Sequence, residues 1–334
     1  MTGVLSGGIA VTDSIVYVLE TGRAALWMLR PDLSIIRRVG REGKGPGEWS
    51  FTGLSVQGGS MRRVSASADR VRLFDGVRVQ ELAPDGRFRR VLVNGTGEGW
   101  LSPFQSRVVF SGDTLFYSAG GYDPLSSAAT GRPKEAGPGR EVGVDGLTSW
   151  AVRMRVEGAD RAVLQLGLVP VTGRMGVGPA HASPLWDTNG RCVVASDGAE
   201  PLLVHAPVGG RQDTIRVPLP KRVDRIENYA ERMRGVLPPG TRLAEPSAPA
   251  RVKDLILDPD GYVWLLPMWS EEPVPGGVEV VRVPLGGGEA VLDTVPGFPR
   301  AFGPPGVYYT GTRGLDDEHL VVRYEQSGAV TAAP

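Results

Sequence analysis

Apolar residues fall in short runs separated by turn-forming residues along nearly the whole chain. Ile15-Val16-Tyr17-Val18-Leu19 is followed by Trp27 and Leu29, then Arg30-Pro31-Asp32, then Ile35-Ile36. The phrase returns at Val71-Arg72-Leu73-Phe74, Val79-Gln80-Glu81-Leu82, Ala83-Pro84-Asp85-Gly86 and Phe88-Arg89-Arg90-Val91-Leu92-Val93. It returns again at Leu255-Ile256-Leu257, Asp258-Pro259-Asp260-Gly261 and Tyr262-Val263-Trp264-Leu265-Leu266. Runs this short, rich in β-branched and aromatic residues, predict strands. The Pro-Asp segments predict the turns between them, because Pro presets φ, Asp bonds its own backbone and Gly accepts positive φ.

The phrase is a degenerate internal repeat. Units are placed near residues 4–39, 50–93, 100–170, 180–218, 250–295 and 296–326. Several short strands repeated every 40–50 residues or so mark a propeller blade. The expected fold is therefore all-β, one six-bladed β-propeller domain spanning 1–334. Two insertions interrupt the period, at 121–146 and 218–249. The first holds Ser126-Ser127-Ala128-Ala129-Thr130-Gly131 and Ala136-Gly137-Pro138-Gly139, a loop composition. The second holds Val223, Ile226, Tyr229, Ala230 and Met233 at helical spacing, with Asp224 as N-cap and Gly235 as stop, and predicts one short helix.

Composition agrees with a turn-rich all-β chain: 334 residues include 47 Gly and 28 Pro. Thirty-seven basic residues against 37 acidic ones leave a formal charge of zero, so there is no electrostatic footprint for nucleic acid. The single Cys excludes an internal disulfide framework. No apolar run reaches the roughly 18 residues of a membrane span. The first residues, Met-Thr-Gly-Val-Leu-Ser-Gly-Gly, show neither a basic nor an apolar leader region, which reads equally as a cytoplasmic start or as a processed or mis-assigned start of a periplasmic protein peripheral to the membrane.

Candidate chemistry is sparse. The Gly-rich stretch 40–47 is no phosphate loop, because Lys44 is followed by Gly45 and Pro46 where Ser or Thr and a helix are required. It reads as a tight loop between blades. His181, His205 and His319 are scattered, without a second His nearby to suggest a metal site. A channel metal would gather ligands from separate blades, and Asp187-Thr188-Asn189 is a donor group that calcium could use. There is no Gly-x-Ser-x-Gly elbow, and Cys192 sits in a buried-strand pattern. No catalytic, cofactor or metal residue is assigned. Trp27 and Trp264 lie inside strands and read as core. Trp100, Tyr122 and Trp269 lie in loop-like contexts and are protein-contact candidates. Arg222 and Arg225 on the helical insertion join them.

Gly40-Arg41-Glu42-Gly43-Lys44-Gly45-Pro46-Gly47-Glu48-Trp49 after Val39, together with Asp258-Pro259-Asp260-Gly261-Tyr262-Val263-Trp264, resembles bacterial six-bladed β-propellers of the NHL/YVTN-like type. The resemblance covers most of the chain. It implies an extracytoplasmic binding module, since some such propellers serve as extrinsic subunits of membrane assemblies, photosynthetic reaction-centre and light-harvesting complexes among them. Others are lyases or lactonases that hold calcium or zinc in the channel. The expected function is a non-catalytic interaction module with protein partners in a membrane assembly, carrying no cofactor. The alternatives are a metal-dependent propeller enzyme and a soluble ligand- or peptide-binding sensor.

Overall fold

The computed structural model describes residues 8–51, 63–75, 78–94, 108–111, 114–120, 148–155, 161–168, 185–188, 191–195, 202–207, 213–217, 252–267, 276–313 and 319–325. These form six antiparallel sheets, each a simple up-and-down meander. The first is β1 (Ile9–Val11), β2 (Val16–Glu20), β3 (Ala25–Leu29) and β4 (Ile35–Val39). The second is β5 (Val64–Ala66), β6 (Val71–Phe74), β7 (Arg78–Leu82) and β8 (Phe88–Asn94). The third is β9 (Val108–Ser111), β10 (Thr114–Gly120), β11 (Thr148–Arg155) and β12 (Arg161–Leu168). The fourth is β13 (Leu185–Thr188), β14 (Arg191–Ala195), β15 (Leu202–Pro207) and β16 (Asp213–Arg216). The fifth is β17 (Val252–Leu257), β18 (Tyr262–Pro267), β19 (Val278–Pro284) and β20 (Val291–Val295). The sixth is β21 (Ala301–Phe302), β22 (Val307–Arg313) and β23 (His319–Glu325). Each sheet falls inside one predicted repeat unit. Among the described residues the only helical structure is a 3₁₀ turn at Thr21–Arg23; the insertions at 121–146 and 218–249, with the predicted helix, lie outside them.

The order of the sheets around the molecule follows from the two-residue period of a strand. On β2, Val16 and Val18 point to one face and pack with Ile9, Leu29 and Tyr309 of the sixth sheet. Tyr17 and Leu19 point to the other and pack with Val64, Val71, Leu73 and Leu82 of the second sheet. The fifth sheet divides likewise. Leu255, Leu257, Val263 and Leu265 face Val217, next to the fourth sheet, while Ile256, Trp264, Leu266 and Val280 face Phe298 and Phe302 of the sixth. Both faces are buried, so these strands read as continuous apolar runs rather than as an alternation. Leading strands adjoin in sequence: β1 beside β5, β5 beside β9, β9 beside β13, β13 beside β17, and β21 beside β1. The arrangement is propeller-like, and the last sheet meets the first.

One register position recurs at the seams. The second ladder pair in from the first turn is Ala10↔Tyr17 in the first sheet, Ile256↔Trp264 in the fifth and Ala301↔Tyr309 in the sixth. Each of these aromatics is buried against the following sheet. The Tyr17 hydroxyl donates to the Pro84 carbonyl in the β7–β8 turn at 2.8 Å. The Tyr309 hydroxyl donates to the Pro31 carbonyl in the β3–β4 turn at 3.4 Å. The same side chain thus ties the sixth sheet to the first and the first to the second. In the second sheet Arg72 takes the position, buried and paired with Glu81 at 3.4 Å.

The Gly-rich stretch 40–47 is the linker between the first two sheets. Trp49 at its end is buried in their shared core. The Arg78 Nη1 donates to the Lys44 carbonyl at 2.6 Å, and the Arg78 Nη2 and Gln80 Nε2 both donate to the Glu48 carbonyl at 2.9 Å. The Gly45 amide and the Arg41 guanidinium hold the Glu48 carboxyl below the usual glutamate range. The loop's amides and carbonyls are thus engaged in joining sheets. Trp264 is buried as the sequence suggests, but Trp27 is only half-buried: Arg38 lies 5.5 Å over its ring, and its Nε1 donates to Glu20.

Gly40 has φ of +90° and a Cβ there would collide with the ring of Trp49, whereas Gly261 has φ of +88° with open space around it. Gly261→Ala is therefore expected to cost about 1–2 kcal/mol, the penalty for a left-handed Cβ. Gly40→Ala adds a core collision worth roughly another 1–3 kcal/mol. Urea denaturation of the two variants side by side checks the difference.

Candidate functional site

The five contact candidates from sequence, Trp100, Tyr122, Arg222, Arg225 and Trp269, lie outside the described residues. Asp187, Thr188, Cys192 and His205 fall on strands β13, β14 and β15, described there as backbone. Among the described residues no group of three His, Cys, Asp or Glu side chains is placed to hold a metal ion. No helix among them is long and apolar enough to cross a membrane.

The structure brings together a site that the sequence did not single out. It lies at the seam of the fifth and sixth sheets, between the turn Asp258–Tyr262 and the turn Gly303–Val307. Asp258 opens its turn. Its amide donates to the Tyr262 carbonyl at 2.9 Å, and the Gly261 amide closes back on the Asp258 carbonyl at 3.3 Å. The opposing turn, Pro304-Pro305-Gly306, is closed by the Gly303 amide on Val307 and the Val307 amide on Pro304, both at 2.9 Å. Between them is a cavity of about 130 Å³, bounded by Asp258, Tyr262, Trp264, Arg282, Phe302 and Tyr308 together with both turns. A second cavity of about 340 Å³ lies between the corresponding turns of the first two sheets, lined by Thr12, Asp13, Ser14, Tyr17, Ser67 and Pro84.

The walls of the seam cavity are aromatic. The Trp264 ring lies 5.7 Å from Phe302 and 6.1 Å from Tyr308, both tilted, and Tyr308 stacks on Tyr324 at 5.3 Å. The Arg282 guanidinium sits 5.3 Å from the Trp264 ring and 6.0 Å from that of Tyr262, a range in which cation–π attraction operates. The polar groups differ in how well they are met. Both carboxylate oxygens of Asp258 are taken, Oδ1 by the Tyr262 amide at 2.7 Å and Oδ2 by the Trp264 Nε1 at 2.9 Å. The Arg282 Nε stands 3.6 Å from Asp293 Oδ2, too far for a hydrogen bond. Both the Arg282 Nε and the Tyr308 hydroxyl are buried without a hydrogen-bond partner among the described residues. Burial, helped by nearby Tyr324 and Asp293 and opposed by the approach of the Gly297 backbone amide, holds the Tyr308 hydroxyl up at about 12, so it stays a neutral phenol. Burial also raises Asp258, opposed by its bonds to Trp264 and Tyr262.

The second exposed feature is the outer rim. The large apolar side chains left exposed among the described residues are Ile35 (63%) and Ile36 (43%) on β4, Val91 on β8, Val291 (50%) and Leu292 on β20, Leu320 on β23, and Tyr262. All but Tyr262 lie on the outermost described strand of their sheet. On β4 and β8 they adjoin exposed Arg37, Arg38 and Arg89.

No protein-family model matches the chain, and no curated protein matches it in sequence. Solved structures are similar in shape. One is a protein named as exported, from Bacteroides fragilis NCTC 9343, with a TM-score of 0.48 and 8% identity over 93% of this chain and 80% of that one. Another is a DUF4221-family protein from Bacteroides vulgatus, with a TM-score of 0.47 and 10% identity over 97% and 96% of the two chains. A luciferin-regenerating enzyme aligns with a TM-score of 0.42 and 10% identity over 93% and 85%. Likeness at this level says nothing of what the chain binds or does; the propeller-like architecture rests on its own sheets and seams.

The raised Asp258 gives a signed expectation. Its carboxyl titrates above the ordinary aspartate value of 3.8, so folding favours its protonated form. The stability this group contributes is fully present below the ordinary aspartate range and is lost as pH rises through the elevated midpoint. Carboxyl NMR across the acid range reads the midpoint directly, and a value at or below 3.8 contradicts the burial argument.

Proposed function

We propose that the chain is a six-bladed β-propeller of the NHL/YVTN-like type acting as a non-catalytic protein-interaction module. In this reading it is a membrane-extrinsic scaffold subunit, on the extracytoplasmic side, that stabilises a larger membrane assembly. The observation that carries the reading is the outer rim. Strand edges are normally blunted, since open backbone groups beside apolar side chains invite pairing with another chain. Here four of the six sheets set exposed Ile, Val or Leu on that edge, the composition of a contact surface. The seam cavity supports a recognition role as well: the Asp258 carboxylate is already occupied by two donors, and the Tyr308 hydroxyl is held neutral. The linker phrase 40–49 supports the family assignment. The precedent it offers for the partner is a photosynthetic reaction-centre or light-harvesting assembly.

Mild-detergent extraction of native membranes, followed by native gel separation and mass spectrometry, tests the proposal. The chain is expected to migrate with integral membrane subunits at fixed stoichiometry. Ile35→Lys and Leu292→Lys, both at exposed sites, are expected to weaken that association roughly tenfold each, the scale of an interface anchor. A chain that migrates as a free monomer overturns the scaffold reading. Stoichiometric bound metal with lyase or lactone-hydrolysing activity overturns the non-catalytic one.

A further inference from the structure

The seam cavity calls for a ligand of particular chemistry. Its orphan groups are a donor, the Arg282 Nε–H, and a group that both donates and accepts, the Tyr308 hydroxyl. A buried polar group left unmet costs about 1–3 kcal/mol, so an apolar ligand that excluded water would leave that penalty standing. An anionic ligand fits poorly too. Asp258 and Asp260 line the cavity, and Asp293 stands beside Arg282, so three carboxylates oppose one guanidinium. A cationic ligand would suit the carboxylate excess but has no lone pair to accept from the Arg282 Nε–H. Both hydrogen-bonding senses are needed, on a neutral frame, against aromatic walls. Tyr262 stands at 41% exposure with Arg282 behind its ring, a platform open to a flat partner. The volume of about 130 Å³, the space of about four waters, takes the hydroxyl-bearing edge of a ring whose remainder lies over Tyr262.

We propose that the cavity between the Asp258–Tyr262 turn and the Gly303–Val307 turn binds a neutral sugar ring. The ring lies against Tyr262, and its hydroxyls accept from the Arg282 Nε and bond with the Tyr308 hydroxyl. Asp260 at the rim accepts from a further sugar hydroxyl. The site opens between the two turns, while the rim runs along β20, whose Val291 pairs with Arg282; sugar binding and partner docking are read by separate measurements.

The purified full chain is titrated with glucose, galactose, mannose and N-acetylglucosamine by calorimetry and tryptophan fluorescence, with glucuronate and inorganic phosphate as anionic controls. At least one neutral sugar is expected to bind saturably in the millimolar range. Tyr308→Phe deletes only the hydroxyl, which has no well-formed hydrogen bond beyond the approach of the Gly297 amide, so the unliganded fold is expected to lose little stability, while sugar affinity falls roughly three- to tenfold. Tyr262→Ala, at an exposed position, is expected to abolish binding without changing the circular dichroism spectrum. Three results overturn the proposal: no saturable binding of any of the four sugars, binding that neither variant weakens, or tighter binding of glucuronate or phosphate than of every neutral sugar.

Discussion

The first and fifth sheets of this protein each bury apolar side chains on both faces, and the rest of the described architecture depends on that. Val16 and Val18 cannot be buried by the partner that buries Tyr17 and Leu19, because neighbouring residues on a strand point opposite ways. Such a sheet therefore needs two neighbours. A stack that ended would leave one apolar face of its first sheet and one of its last in water. The contact of Ile9, Val16 and Val18 with Tyr309 removes both ends at once. The hydrophobic term rewards closure as a whole, since exposing one such seam would return several Val, Ile and Tyr side chains to water at about 1.5–3 kcal/mol each.

Within that constraint, direction comes from hydrogen bonds. Apolar seams alone fix spacing but tolerate sliding. The hydroxyls of Tyr17 and Tyr309 reach into the turn of the next sheet and fix the offset. Their acceptors are prolines in Pro-Asp turns, whose carbonyls are available because the turn's own closure uses the residues on either side. In the second sheet the Ala83 amide donates to Arg87 and the Gly86 amide to Ala83, leaving Pro84 free for Tyr17. In the first, Arg30 and Ser34 close the turn and Leu33 takes the left-handed position at φ of 68° that Gly86 and Gly261 occupy elsewhere. The repeated turn is thus a strand connector and also a docking point for the preceding sheet.

Much of this was legible in the chain. The Pro-Asp phrases located three turns of one geometry, and the continuous apolar runs located strands that are buried on both sides. What the sequence concealed was pairing at a distance. Nothing around Tyr17 indicates that its acceptor lies 67 residues away, and Trp49, at the end of a loop rich in Gly, carries no local sign of being core. The seam cavity was hidden for the same reason. Asp258 and Gly261 were read as turn formers and Trp264 as core, both correctly, yet their joint character arises only when Phe302 and Tyr308 of the next sheet face them. The loop aromatics Trp100, Tyr122 and Trp269 stood out because an aromatic residue in a polar context is visible in one dimension, whereas a site assembled across a seam is not.

The two features that set this molecule apart from a purely structural ring lie where the burial rule relaxes. The outermost strands have no further strand to cover them among the described residues, so Ile35, Val291 and Leu320 remain in water. At the turn end of the fifth seam, flat rings and a guanidinium replace interlocking aliphatic chains and leave a space. In both places the sequence keeps groups that folding alone does not require. Aliphatic side chains on an open edge weaken solubility, and the Arg282 Nε and Tyr308 hydroxyl lack a well-formed hydrogen bond among the described residues, although Arg282 faces Asp293 at 3.6 Å and the rings of Trp264 and Tyr262. Hydrogen bonding is fully used a few ångströms away, where Asp258 meets two donors. Other buried polar atoms, such as Trp49 Nε1 and Arg323 Nε, also lack a partner among the described residues, but the Arg282 Nε and the Tyr308 hydroxyl stand at a cavity that a ligand can enter.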